Sequence, residues 1–130
     1  MAGLSAYLEE ALLNHVLRGD SVSTSYTPPS AVYVALHTAD PTDAGLTTDE
    51  VPTGIYARAA ASFGAPVGST VSNVSAINFR MPVVTVSWVS IWDSQTGGNM
   101  LLSNALPSPQ TFSSGDSIAF LPGSLQISLA

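Results

Sequence analysis

Cysteine and lysine are both missing from this chain of 130 residues, and charge of either sign is scarce. Without cysteine there can be no disulfide, no thiolate-bound zinc or iron–sulfur cluster and no thiol nucleophile. Three arginines stand against nine acids, for a formal charge of −6. So few cations cannot supply the phosphate contacts that dominate nucleic-acid affinity, nor a polybasic patch for anionic lipid. Neither nucleic acid nor a membrane is therefore expected as a partner. No stretch approaches the roughly 18 uninterrupted apolar residues of a membrane-crossing helix. The opening Met1-Ala2-Gly3-Leu4-Ser5 has neither the basic segment nor the apolar run of a signal peptide, and Ala2 stands where myristoylation needs glycine.

What the chain has instead is apolar and hydroxyl-bearing. Hydrophobic residues make up 45%, and there are 19 serines and 11 threonines. Charged residues make up 9%, against about 25% in an average soluble domain. The Val, Ile, Leu and aromatic content is too high for disorder, and the length suits one domain. We expect residues 1–130 to form a single unit: helix 4–18, linker 19–30 and a β-rich body 31–130.

The helix rests on Leu4, Leu8, Leu12 and Val16 at four-residue spacing, widened by Leu13 and Leu17. Ser5 suits the N-cap, Glu9 and Glu10 the positive end, and Arg18-Gly19 the stop. The period then changes. Ala31–His37 alternates as a strand, with Val32, Val34 and Leu36 on one face. Residues 38–54 read as a long loop. Further strand-like runs fall at about 55–63, 70–79, 83–92, 99–105, 117–121 and 124–129, with turns at Gly64-Ala65-Pro66, Arg80-Met81-Pro82, Gly97-Gly98-Asn99, Pro107-Ser108-Pro109 and Pro122-Gly123. One helix cannot build parallel crossovers. The expected fold class is all-β, an antiparallel β-sandwich (jelly-roll or Ig-like) of about seven to eight short strands with one N-terminal amphipathic helix.

Catalytic signals are poor. Gly115-Asp116-Ser117 has the look of a serine-hydrolase block, but no histidine follows it, and a turn before a strand explains it. His15 and His37 sit on the helix and a strand with no fixed relation to a serine. Asp40, Asp43, Asp49 and Glu50 share one loop and are the candidate metal ligands, since flexible oxygen donors suit Ca²⁺. Counted from Asp40, however, Thr42, Ala44 and Val51 occupy positions where an EF-hand needs oxygen ligands; acids in a loop are more simply turn formers. Thr96-Gly97-Gly98-Asn99 lacks the Lys-Ser/Thr of a phosphate loop and reads as a hairpin. Asn73-Val74-Ser75 matches a glycosylation acceptor only as a short chance pattern. No enzyme and no cofactor are expected.

Trp88 and Trp92 lie four apart on one strand, hence on one face with Ser90 between them. Val84, Val86, Trp88, Ser90 and Trp92 form the bulkier phase and the expected core side. Core or interface is the first reading of the two tryptophans; a sugar-stacking platform, with a host glycan as partner, is the second. Leu8, Leu12, Val16, Trp88 and Trp92 are the candidate interface residues.

Several blocks, in order, resemble a known family. They are Met1–Ser5 with Tyr7-Leu8-Glu9, Leu13–Gly19, Tyr26–Pro29 with Val32–Pro41, Glu50-Val51 with Gly54-x-Tyr56-Ala57-Arg58, Phe63-Gly64, Ser72-Asn73, Ile91-Trp92-Asp93, Thr96–Asn99, Gly115–Ser117 and Leu125–Leu129. The chain is similar to small tailed-bacteriophage virion structural proteins of the minor tail or tail-fibre-like kind. It departs from them in residues 80–87, which carry Arg80-Met81-Pro82 and a Val-rich run. The resemblance implies a non-catalytic component of the virion, a minor tail or fibre-base protein whose partners are other phage virion proteins and copies of itself. A capsid decoration protein is the alternative, and a carbohydrate-binding module of a fibre the second. A free monomer of this mass exposes about 6,500 Å²; twelve charged residues are few for it, so much of the surface is expected to be hydroxyl-rich or covered by other proteins.

Overall fold

The computed structural model describes residues 3–18 and 26–129. The expected glycine stop at Gly19 and the first part of the linker lie outside the described residues. Helix α1 runs Ala6–Leu17. It starts later than its apolar spacing suggests because Ser5 is extended and its Oγ accepts the Leu8 N–H at 3.1 Å. Gly3–Leu4 instead form a short strand, β1. At the other end the Arg18 N–H donates to the Asn14 carbonyl at 3.0 Å.

Eight further strands follow: β2 (Val32–His37), β3 (Ala59–Ala61), β4 (Thr70–Ser72), β5 (Ile77–Met81), β6 (Val84–Trp92), β7 (Met100–Phe112), β8 (Asp116–Phe120) and β9 (Gln126–Ser128). One layer is a five-stranded antiparallel sheet in the order β1-β7-β6-β2-β3. The other is made of the pairs β4-β9 and β5-β8. The architecture is all-β and sandwich-like, with one short helix, as the alternation of apolar residues implies.

Those two pairs act as one bent ribbon. Thr70 faces Ser128 and Ile77 faces Phe120, so eight residues (70 to 77) oppose nine (120 to 128), nearly one register. The run expected as a single strand over 70–79 is broken at Asn73, which is buried. Its Nδ2 reaches the carbonyls of Ser75, Phe120 and Leu121 at 2.9, 3.3 and 3.0 Å, and its Oδ1 accepts the Leu125 N–H at 2.9 Å. The side chain replaces the ladder bonds that the bend removes. A side chain so engaged is no glycan acceptor.

The core lies between the layers. Val34, Leu36, Val86, Val89 and Ile91 from the sheet meet Ile77, Phe79 and Met81 from the ribbon. Phe79 stacks on Tyr56 (centroids 5.9 Å, planes 9° apart) and takes Phe120 edge-on at 6.2 Å. From α1 only Leu8 is fully buried; Leu12 packs at the margin and Val16 is 70% exposed. The helix overhangs the body past Leu12.

The β6 phase needs correction. Val84 and Val86 do face the core, but a bulge between Val86 and Trp88 shifts the register, and Val89 and Ile91 take over. Trp88, Ser90 and Trp92 thereby turn to the outer face. The cause lies on the partner strand. Gln110 opposes Val86 and Ala105 opposes Trp88, so residues 106–109 are extruded. Pro107 and Pro109 have no N–H to give a ladder. The strand then resumes to Phe112 where a turn was expected. The strand expected over 55–63 is reduced to Ala59–Ala61.

A two-stranded ribbon spans about 10 Å, while five strands span about 24 Å. The cover is narrower than the sheet, and apolar grooves remain on its flanks. One, of about 300 Å³, is lined by Leu102, Leu106, Phe120 and Leu125. The other, of about 480 Å³, lies between α1 and β4-β9 and is lined by Leu4, Leu12, Phe63, Val71 and Leu129.

Candidate functional site

The outer face of the large sheet carries most of the polar chemistry. β2 contributes Tyr33, Ala35 and His37; opposite them in register on β6 stand Trp92, Ser90 and Trp88. Cross-strand partners share a face, so the two tryptophans mark its two ends.

At the Trp92 end a buried polar network closes the face. The indole Nε1–H donates to Ser90 Oγ at 2.7 Å, and the same oxygen lies 2.6 Å from His37 Nε2. His37 and Ser90 are at most 1% exposed, and His37 Nδ1 has no partner among the described residues. Burial pushes the imidazole below its ordinary value; Glu50, Asp49 and Asp40 pull the other way and Arg58 reinforces the fall. His37 is thus neutral at pH 7. Arg58 lies over the Trp92 ring, its Cζ 3.9 Å from the centroid. Its Nε and Nη2 donate to the two Glu50 oxygens at 2.9 Å each, and its Nη1 to the carbonyls of Ser94 and Gly97 at 3.0 and 2.8 Å. Tyr56 completes the network: its hydroxyl donates to Glu50 Oε2 and accepts the Leu36 N–H, both at 3.0 Å. Burial, first of all, drives its pKa far up. Gly45 lets the loop after β2 close over this end. Its φ is +71°, and a Cβ there would stand 3.0 Å from Met100 Cβ.

No local spacing pairs His37 with a serine, yet Ser90, 53 residues on, is its neighbour. The pair resembles a base and nucleophile, but it is sealed from solvent and no third residue orients the ring. Gly115-Asp116-Ser117 is a turn: Gly115 has φ +85°, and Asp116 Oδ2 accepts the Ser113 N–H at 2.7 Å. The four loop acids are not brought together as a cation site. Asp40 Oδ1 accepts the Thr42 N–H at 2.8 Å, Glu50 is taken by Arg58 and Tyr56, and Asp43 and Asp49 offer backbone carbonyls to Ala6 and Thr38. Among the described residues no group of three His, Asp or Glu could hold a metal.

The Trp88 end is open. Trp88 is half-buried in a concavity of about 400 Å³ that it shares with Gly3, Asp40, Thr42, Asp43, Ser103 and Asn104. Of the candidate interface residues, Leu8 and Trp92 are buried in the chain's own core, Leu12 and Trp88 are half-buried, and Val16 stands free.

The fold defines an all-β, sandwich-like protein with a sealed polar network at one end of its outer face and a concavity at the other. The chain is a member of the family described as "Podophage GP4 fiber I protein gp80", whose model matches residues 3–128. It is a phage tail-fibre-like structural protein, located in the virion, and it works in contact with other virion proteins. No curated protein matches it.

Proposed function

We propose that this chain is a non-catalytic minor tail subunit at the base of a fibre, docking onto other virion proteins through the overhanging end of α1 and the groove beneath it. One observation carries the reading. Leu13, Val16 and Leu17 are 58%, 70% and 74% exposed, and Val16 lies one helical turn beyond Leu12, which lines the apolar groove with Phe63, Val71 and Leu129. Contiguous apolar surface of this kind marks interaction sites in soluble proteins. We read residues 1–130 as one folding unit, because Leu8 of the helix joins the same core cluster as Ile91 and Phe79.

Cryo-electron microscopy of virions tests the position, with density expected where fibres leave the tail. Copies on the icosahedral shell and none on the tail would instead establish the decoration alternative. Leu13→Asp with Leu17→Asp should abolish incorporation while leaving the melting temperature of the free chain within about 2 °C, since both residues are solvent-facing.

A further inference from the structure

The two ends of the outer face are built from the same parts, with one part missing. At Trp92 an indole, a carboxylate and backbone carbonyls enclose the guanidinium of Arg58. At Trp88 there is again an indole, now with the carboxylates of Asp40 and Asp43, and no cation among the described residues that line the concavity.

The lining is rich in acceptors. The Asp43 carboxylate bonds no described residue, and Asp40 has spent only Oδ1, on Thr42. Ser103 pairs in register with Ser90, which places its side chain on this same outer face. It is more than nine-tenths buried, lines the concavity, and its hydroxyl has no hydrogen-bond partner among the described residues. Two carboxylates beside a π face, with the Ser103 and Thr42 hydroxyls and the Asn104 amide around them, favour a ligand that brings positive charge and a flat face. A guanidinium has five N–H donors and no acceptor, stacks on indole and matches a carboxylate in two-pronged fashion. Anions are repelled here. A sugar could donate hydroxyls to the two carboxylates but would leave their charge uncompensated.

We propose that the Trp88 concavity receives the guanidinium of an arginine presented by another virion protein. This rests on the reading of the chain as a docking subunit and supplies the chemistry of its partner. The partner is expected to be basic where it meets this face, complementary to a chain of net charge −6. Of the chain's own arginines, Arg58 is enclosed and a poor donor to a second copy; Arg80 and Arg18 are exposed, and their variants separate a second copy from a different virion protein.

The test is nuclear magnetic resonance of the two indole N–H groups, assigned with Trp88→Phe, in the full chain titrated with N-acetylarginine amide. The Trp88 signal should move saturably at millimolar ligand while Trp92 stays still, and added salt should weaken the effect. Asp40→Asn with Asp43→Asn should weaken binding about fivefold or more, the upper range for a screened surface charge pair. Asp43→Asn alone covers the case in which losing the Asp40 turn harms the fold. Asp49→Asn with Asp116→Asn should leave binding intact. A shift that survives Asp43→Asn and the double variant, or equal shifts with methyl β-glucoside, would overturn the proposal. So would a Trp88 shift that grows with protein concentration alone and vanishes in Arg18→Gln or Arg80→Gln, which would make the partner a second copy. None of these readouts depends on where the chain sits in the virion, so this proposal and the tail position can fail separately.

Discussion

Trp92 and Trp88 stand four residues apart on one strand and one face, yet one is sealed and the other open. The difference is made by the loops. The segment after β2 crosses Trp92 and brings Glu50 and Arg58 with it, whereas at Trp88 the same segment supplies Asp40 and Asp43 but no cation. A closed set of charges holds a fold together. The same kind of set with a member missing leaves a surface that asks for a partner.

The sharpest way to break the closed end is Arg58→Met. Glu50, with only 12% of its side chain exposed, would keep a carboxylate without its cation. The expected loss is about 3–5 kcal/mol by urea denaturation, and Arg58→Met with Glu50→Leu should recover much of it. Ser90→Ala comes next. It strands the Trp92 N–H and His37 Nε2 together, at a cost of about 1–3 kcal/mol. Acid should act in the same place but more gently, since three carboxylates offset part of the burial of His37. The folded chain holds the imidazole neutral, so the unfolded chain binds the extra proton first. This contribution is complete above about pH 6.5, the ordinary histidine value, and is lost as pH falls below it. A urea midpoint that declines from pH 7.5 to 5.5 in the native chain and declines less in His37→Gln would show it. The smallest effect is expected at the open end. Asp43→Asn should change stability by no more than about 0.5 kcal/mol, because its carboxylate bonds no described residue. A larger loss would mean that the Trp88 end is also structural.

Much of this body is legible in the sequence. The apolar spacing of α1, the alternation in β2 and the turns at Gly98 and Gly115 each reflect local rules, and local rules can be read from one chain. What escaped was decided across strands. Which face Trp88 presents depends on a bulge set by Pro107 and Pro109, some twenty residues on. The proximity of Ser90 to His37 depends on the β2-β6 register, and the break at Asn73 on carbonyls near residues 120–121. The Arg58–Glu50 pair did leave a signal: one of only three arginines sits within the Gly54-x-Tyr56-Ala57-Arg58 block. In a chain so poor in cations, each arginine needs a reason.

The enclosure of Arg58 has a further consequence. Trypsin-like proteases cut only after lysine or arginine, and this chain has three such bonds. Arg58 is held by five hydrogen bonds at a site 6% exposed, the fifth accepted by its own carbonyl from Gln95 Nε2. Arg80 is tied into β5 opposite Ser117. Digestion requires local opening, so cleavage after Arg58 or Arg80 must wait for the fold to open. A particle that waits outside its host among secreted proteases would carry here a β-body that offers them no ready cut at Arg58 or Arg80.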